Sequence, residues 1–233
     1  LLVTTSCINI NGRQDGGITC YEAAMVSQTT DATPGLITIR DRGRLPHWET
    51  EGGTYFVTFR LADSLPVSVL QALEAERENI TRTAQQMKRD LSPSERQRLA
   101  ELLSERIETY LDAGAGACHL ADPRIAEVVA QALRFFDHRR YQLRAWCVMP
   151  NHVHVVLRLF PGQSLAAVLH SWKSFTAKEA NRILGTTGRF WQREYYDHLV
   201  RDEAECARIV RYVIENPAKA HLRNWPWAER CQT

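Results

Sequence analysis

Residues 152–159 read His-Val-His-Val-Val-Leu-Arg-Leu. Side chains alternate across a strand, so Val153, Val155, Leu157 and Leu159 share one face, and His152, His154, Val156 and Arg158 share the other. A wholly aliphatic face must be covered, and helices are the expected cover. The opposite face, with two imidazoles on it, is expected to stay open to a ligand. This segment therefore demands a sheet whose two faces differ in chemistry.

The same period recurs at 54–61, where Tyr55, Val57, Phe59 and Leu61 fall on one side and Phe56, Thr58 and Arg60 on the other. Between the two strands the period changes. Residues 67–89 predict an amphipathic but polar helix. A second helix is predicted to start at Ser92, with Pro93 in its first turn, and to bury Leu99, Leu102, Leu103, Ile107, Tyr110 and Leu111. Together they read as a helical hairpin inserted at about 67–118 and closed by Ala-Gly-Ala-Gly at 113–116.

Asp122-Pro123 opens a clearer helix with Ile125, Val128, Val129, Ala132, Leu133 and Phe136 at helical spacing. The strand 141–148 follows, then a Met-Pro-Asn turn, then the histidine strand. Ser164 starts a further helix with a predicted stripe of Leu165, Val168, Leu169, Trp172, Phe175 and Ile183, ended by Gly185 and Gly188. Residues 190–200 read as a last strand. Asp202 and Glu205 make a capping-box-like start for a helix running to Glu215 or Asn216. With the insertion set aside, the order is strand, helix, strand, strand, helix, strand, plus one extra C-terminal helix. This is the split βαβ, ferredoxin-like order: an α+β fold with an antiparallel sheet and helices on one face. Residues 1–45, rich in Gly, Thr, Asp and Asn, are expected to be a disordered extension, 46–227 the domain, and 228–233 a tail.

Charge is unevenly placed. Residues 139–224 hold 14 Lys and Arg against 7 Asp and Glu, whereas the whole chain is only +2. A polyanion or a merely solvated basic face would each account for that excess. There is no run of 18 apolar residues, so no membrane span is expected, and the first residues lack the basic start of a signal peptide. Six scattered cysteines without a C-x-x-C pair read as free thiols, as expected for a cytoplasmic protein.

Imidazoles at i and i+2 on one strand face stand roughly 6–7 Å apart at Cα. They can converge on one divalent metal, with Mn²⁺ or Zn²⁺ suiting histidine better than Mg²⁺. The alternative is a pair of half-exposed histidines satisfied by their neighbours. The last helix carries Arg-Tyr-Val-Ile-Glu-Asn-Pro at 211–217. Tyr212 and Asn216, four apart, border its apolar side of Cys206, Ile209, Val210 and Val213. Asn216 offers a carbonyl oxygen as a third ligand, and Tyr212 a phenol able to form a phosphate ester. A packing tyrosine and a helix-ending asparagine before Pro217 are the structural alternatives.

The blocks "VMPNHVHVVL", "FWQREYYDHLVRDE" and "RYVIENPAKAHL", in this order, resemble the REP-associated tyrosine transposases of the HUH single-tyrosine group. "GRLPHWETEGGTYFVTFRLADSLP" is similar to one branch of that family, while residues 67–118 match nothing specific in it. The resemblance implies an enzyme that binds imperfect REP-like hairpins in single-stranded DNA, cleaves beside them and keeps the 5′ phosphate on tyrosine. Tyr212 matches the nucleophile, His152 and His154 the histidine pair, and Asn216 the further ligand of a divalent metal, Mg²⁺ or Mn²⁺. Arg158, Lys173, Lys178, Arg193, Tyr195 and Tyr196 are candidate DNA contacts. Monomer and homodimer both stay open. A relative that grips such hairpins without cutting them is the other reading.

Overall fold

The structure, a computed structural model, describes residues 38–41, 46–92, 94–95, 107, 110–111 and 113–231. Residues 1–37 and 42–45 of the expected disordered extension lie outside the described residues, as does most of the insertion's second arm. Within the expected extension, β1 (Thr38–Asp41) pairs antiparallel with β2 (Pro46–Glu49), so strand pairing begins before residue 46.

Five strands make the main sheet: β3 (Thr54–Arg60), β4 (Tyr141–Val148), β5 (His152–Leu159), β6 (Tyr196–Leu199) and β7 (Ala228–Arg230). Their spatial order is β6-β3-β5-β4-β7 and every pairing is antiparallel. The first four reproduce the ferredoxin-like arrangement expected from element order. Residues 228–230, expected as a tail, instead extend the sheet beside β4.

Among the described residues the longer helices are α1 (Val67–Gln86), α2 (Pro123–Phe135), α3 (Leu165–Leu184) and α4 (Glu203–Lys219). Asp122 caps α2 through the Arg124 N–H, with Pro123 at the first position. Ser164 caps α3 through the Ala167 N–H, and Gly185 ends it in the left-handed conformation (φ 66°) that glycine adopts without a Cβ clash. At the start of the second inserted arm, Ser92 and Glu95 form a reciprocal capping box: the Ser92 N–H donates to Glu95 Oε2 and the Glu95 N–H to Ser92 Oγ.

The main core lies between one sheet face and α2 and α3. It gathers Tyr55, Val57, Phe59, Val153, Val155, Leu157 and Leu159 against Ile125, Val129, Leu133, Val168, Leu169 and Trp172. The predicted stripe of α3 needs one correction: Phe175 is 51% exposed and Thr176 is buried in its place. Thr176 Oγ1 accepts from the Trp191 indole N–H at 2.9 Å, so the core recruits a hydroxyl that satisfies a buried donor. Trp191 belongs to the main core.

The second sheet face is not open. α4 lies on it, packing Cys206, Ile209, Val210 and Val213 against Phe56, Ala145, Cys147 and Val156. Helices therefore flank both faces, which corrects the expectation that the histidine face is open. A register shift in β4 between Leu143 and Ala145 helps to make this possible. It changes the parity of the strand, so Tyr141, Leu143, Trp146 and Val148 join the main core while small Ala145 and Cys147 meet α4. The last predicted strand is also shorter than expected. Residues 192–195 fall outside β6, although the Gln192 N–H still donates to the Arg60 carbonyl, and the Gln192 and Arg193 carbonyls accept from Lys173 Nζ (2.7 and 2.8 Å).

Ile209 is nearly buried at the centre of the α4 contact. Ile209→Ala should cost about 2–5 kcal/mol of unfolding free energy, measured by urea titration. A change within error would mean that α4 is not docked as described.

Candidate functional site

His152 and His154 project from the same face of β5 into the layer beneath α4, and each is only 1% exposed. Their Nε2 atoms stand 2.9 Å apart. Each Nδ1 has its own partner: Asn151 Oδ1 at 2.7 Å for His152, and Thr58 Oγ1 at 2.8 Å for His154. Thr58 lies directly across from His154 in the β3–β5 register, and Arg60 directly across from His152.

Burial pushes the pKa of both imidazoles down. His154 falls to about 3, and His152 drops well below its ordinary range, with the neighbouring His154 and Arg60 adding to the effect of burial. Both rings are neutral at physiological pH, which is the form that ligates a metal.

α4 supplies the other side of the site. Its N-cap is Asp202, whose carboxylate accepts from the Glu205 N–H; Glu205 in turn accepts from the Arg201 N–H and sits 3.0 Å from His198 Nε2. This cap sets where α4 begins and hence which residues face the sheet. The Tyr212 ring stands 5.5 Å from the His154 ring centroid and 6.0 Å, edge-on, from Phe56. The Lys219 ammonium lies 5.2 Å from the centre of the Tyr212 ring. One turn on from Tyr212, Asn216 is 2% exposed, and its Oδ1 has no hydrogen-bond partner among the described residues. Asn216 does not end the helix as expected. α4 runs through Pro217 to Lys219, so Asn216 stays helical and sheetward.

Of the residues singled out in the sequence, His152, His154 and Tyr212 are brought together, and Asn216 is buried one turn further along α4. Among the described residues no group of three or more His, Cys, Asp or Glu side chains gathers, so the donors that could hold a metal are two imidazoles and the Asn216 amide oxygen. Two cis ligands each about 2.1 Å from one metal stand about 3 Å apart, close to the spacing of the two Nε2 atoms. The orphaned buried oxygen of Asn216 is consistent with the same use.

The candidate DNA contacts scatter. Lys173, Arg193 and Tyr195 line one cavity of about 300 Å³ with His170 and Glu194. Lys173 already donates to two carbonyls, and burial lowers its pKa to about 8, so its first role is to hold the 192–193 loop. Tyr196 packs edge-on to Phe56 in the α4 layer. Arg158 and Lys178 are exposed, the former donating to the Gly52 carbonyl. Sequence reasoning did not single out Thr58, Arg60 and Asn151. Arg60 is charged at neutral pH, with a pKa lowered to about 10 by burial and opposed by Glu194, and its buried Nε has no partner among the described residues. The alternation of β3 already placed Thr58 and Arg60 on one face; only the β3–β5 register shows that this face meets the histidines.

Residues 120–216 match the family model described as "Transposase IS200 like", a span that includes both histidines, Tyr212 and Asn216. This segment is similar to the IS200-like transposases. The chain is 24% identical over 94 residues to the REP-associated tyrosine transposase of Escherichia coli K12, covering 39% of this chain and 54% of that protein. It is also 24% identical over 106 residues to a Haemophilus influenzae protein assigned to the same group, covering 40% of this chain and 60% of that one. The transposase-like chain thus spans little more than half the length of these curated relatives. A solved REP-associated tyrosine transposase bound to a REP hairpin aligns at 17% identity with a TM-score of 0.43, over 78% of this chain and 79% of that one. The relatives are those that the sequence blocks resemble.

The neutral buried imidazoles couple stability to pH. An unfolded histidine takes up a proton below about 6.5, whereas folded His154 does so only near 3. The stability this group contributes is present above pH 6.5 and is lost as pH falls toward 3. The urea midpoint should drop between pH 7 and pH 5, and less so in His154→Gln. Equal drops in the two proteins would contradict a buried neutral His154.

Proposed function

We propose that this chain is a metal-dependent single-stranded DNA transposase that recognises REP-like hairpins and cuts and rejoins strands through a 5′-phosphotyrosine. The observation that carries this reading is the convergence of the two histidine Nε2 atoms beside the Tyr212 ring, one helical turn from the orphaned Asn216 oxygen. The match of residues 120–216 to the IS200-like transposase model and the similarity to REP-associated relatives support the substrate class.

In this reading His152, His154 and Asn216 hold one divalent cation, Mg²⁺ or Mn²⁺. When bound, such a cation supplies Lewis-acid polarisation of a phosphate. Arg60, charged and beside His152, adds a fixed positive charge for the same anion. Tyr212 is the nucleophile. Its Oη forms a bond to phosphorus and gives up its proton to solvent, while the bond from phosphorus to the 3′ oxygen breaks and that oxygen leaves as a hydroxyl after taking a proton. Phe56 and His154 hold the Tyr212 ring from two sides, which limits the directions the hydroxyl explores. Because one phosphate ester replaces another, a 3′ hydroxyl can reverse the step and rejoin strands without a nucleotide cofactor.

Tyr212→Phe keeps the ring and its contacts but deletes the attacking oxygen. Cleavage of a 5′-extended hairpin and the covalent protein–DNA adduct should vanish together, with gel-shift affinity within about twofold of wild type. Tyr195→Phe and Tyr196→Phe should retain the adduct. His152→Ala should lose cleavage at saturating Mn²⁺ while still binding hairpin. Adduct surviving in Tyr212→Phe, read on a denaturing gel and by mass spectrometry of the linked peptide, would overturn the nucleophile. Tight hairpin binding with no cleavage by the wild type under any divalent metal would favour a gripping relative that does not cut.

A further inference from the structure

Asn151 lies in the turn between β4 and β5 and is fully buried. Its amide nitrogen donates to the carbonyls of Leu111 (3.2 Å) and Ala115 (3.0 Å), at the end of the inserted segment. A carbonyl oxygen can only accept, so the amide has one workable orientation: nitrogen toward the two carbonyls, Oδ1 toward His152. Oδ1 is itself acceptor-only and stands 2.7 Å from His152 Nδ1. That ring nitrogen must therefore carry a proton.

We propose that Asn151, locked by the insertion, is a positioning residue that holds His152 protonated on Nδ1 and leaves its Nε2 lone pair bare. The constraint passes on to His154. The 2.9 Å contact between the two Nε2 atoms needs one proton, and a neutral His152 has none to place there, so His154 Nε2–H is the donor. His154 Nδ1 is then bare and accepts from the Thr58 hydroxyl at 2.8 Å. The metal-free pair is thus asymmetric, with His152 ready to ligate and His154 not. For His154 to ligate, its N–H bond at Nε2 breaks and one forms at Nδ1, with no net gain or loss of protons. The Thr58 hydroxyl, which can donate or accept, turns from donor to acceptor to match. A segment outside the family-matched residues, the insertion ending at 111–115, thereby acts on the first ligand through a single amide.

The tautomer assignment stands on hydrogen-bond geometry together with the neutrality that full burial imposes on both rings; its consequence for ligation rests on the metal reading above. Long-range ¹H–¹⁵N spectra of the full chain, labelled at histidine and free of metal, should show His152 protonated at Nδ1 and His154 at Nε2. A wild-type His152 protonated at Nε2 overturns the proposal without any variant. Asn151→Ala should bring His152 into a mixture of tautomers and weaken Mn²⁺ binding by about ten- to a hundredfold, read by Mn²⁺ electron paramagnetic resonance. Asn151→Asp returns an acceptor oxygen and should restore the Nδ1-protonated ring. An Asn151→Ala protein with wild-type tautomers and wild-type Mn²⁺ affinity overturns the proposal. Wild type with the expected tautomers but no Mn²⁺ binding would sink the metal reading while upholding the role of Asn151.

Discussion

The site depends on the packing of α4 against the second face of the sheet. Cys206, Ile209, Val210 and Val213 form an apolar stripe that water would otherwise have to cover, and Phe56, Ala145, Cys147 and Val156 present the surface that receives it. Once that contact is made, Tyr212, at the border of the stripe, is carried to His154, and Asn216 is buried one turn on. Both sides of the contact are built largely from small or β-branched side chains, with Met149 and Phe56 as the larger exceptions. That ring touches His154, Tyr196 and Tyr212 at once and so spaces the layer.

Burying two imidazoles in such a layer is costly unless their polar atoms are answered. Each Nδ1 has a dedicated partner, and the Nε2 atoms answer one another. The polar atoms left without a partner among the described residues include Asn216 Oδ1 and Arg60 Nε, one in the helix over the pair and one across from His152. Both imidazoles are answered at each ring nitrogen, whereas these two atoms are left over.

The insertion lies outside the family-matched residues 120–216, yet it is joined to the domain at several points. Gly116 (φ 90°) passes so close to Asp63 that a Cβ would stand 2.6 Å from the Asp63 carbonyl oxygen, and the Ala117 N–H donates to the Asp63 carboxylate. Leu111 and Ala115 hold Asn151. A small cluster of Leu65, Leu73, Ile107 and Leu111 gives this region its own packing.

Local rules account for much of the molecule. Strand and helix order, the two-faced character of β3 and β5, the caps at Asp122, Ser164 and Asp202, and the grouping of His152, His154, Tyr212 and Asn216 are all legible in the amino-acid sequence. Periodicity and capping depend on neighbours three or four residues away, which a sequence displays directly. Other features are not legible there because they arise between distant segments. That α4 closes the histidine face, that residues 228–230 join β4, and that the β4 register shift turns Ala145 and Cys147 toward α4 were decided by which surfaces met. The same holds for Phe175 yielding its place to Thr176, a choice made by an indole N–H fifteen residues away. Thr58, Arg60 and Asn151 became part of the site only through cross-strand register and the fold of the insertion. The amino-acid sequence by itself determined which side chains share a face; only tertiary packing decided what each face would meet, because burial and hydrogen-bond satisfaction are settled between elements rather than within them.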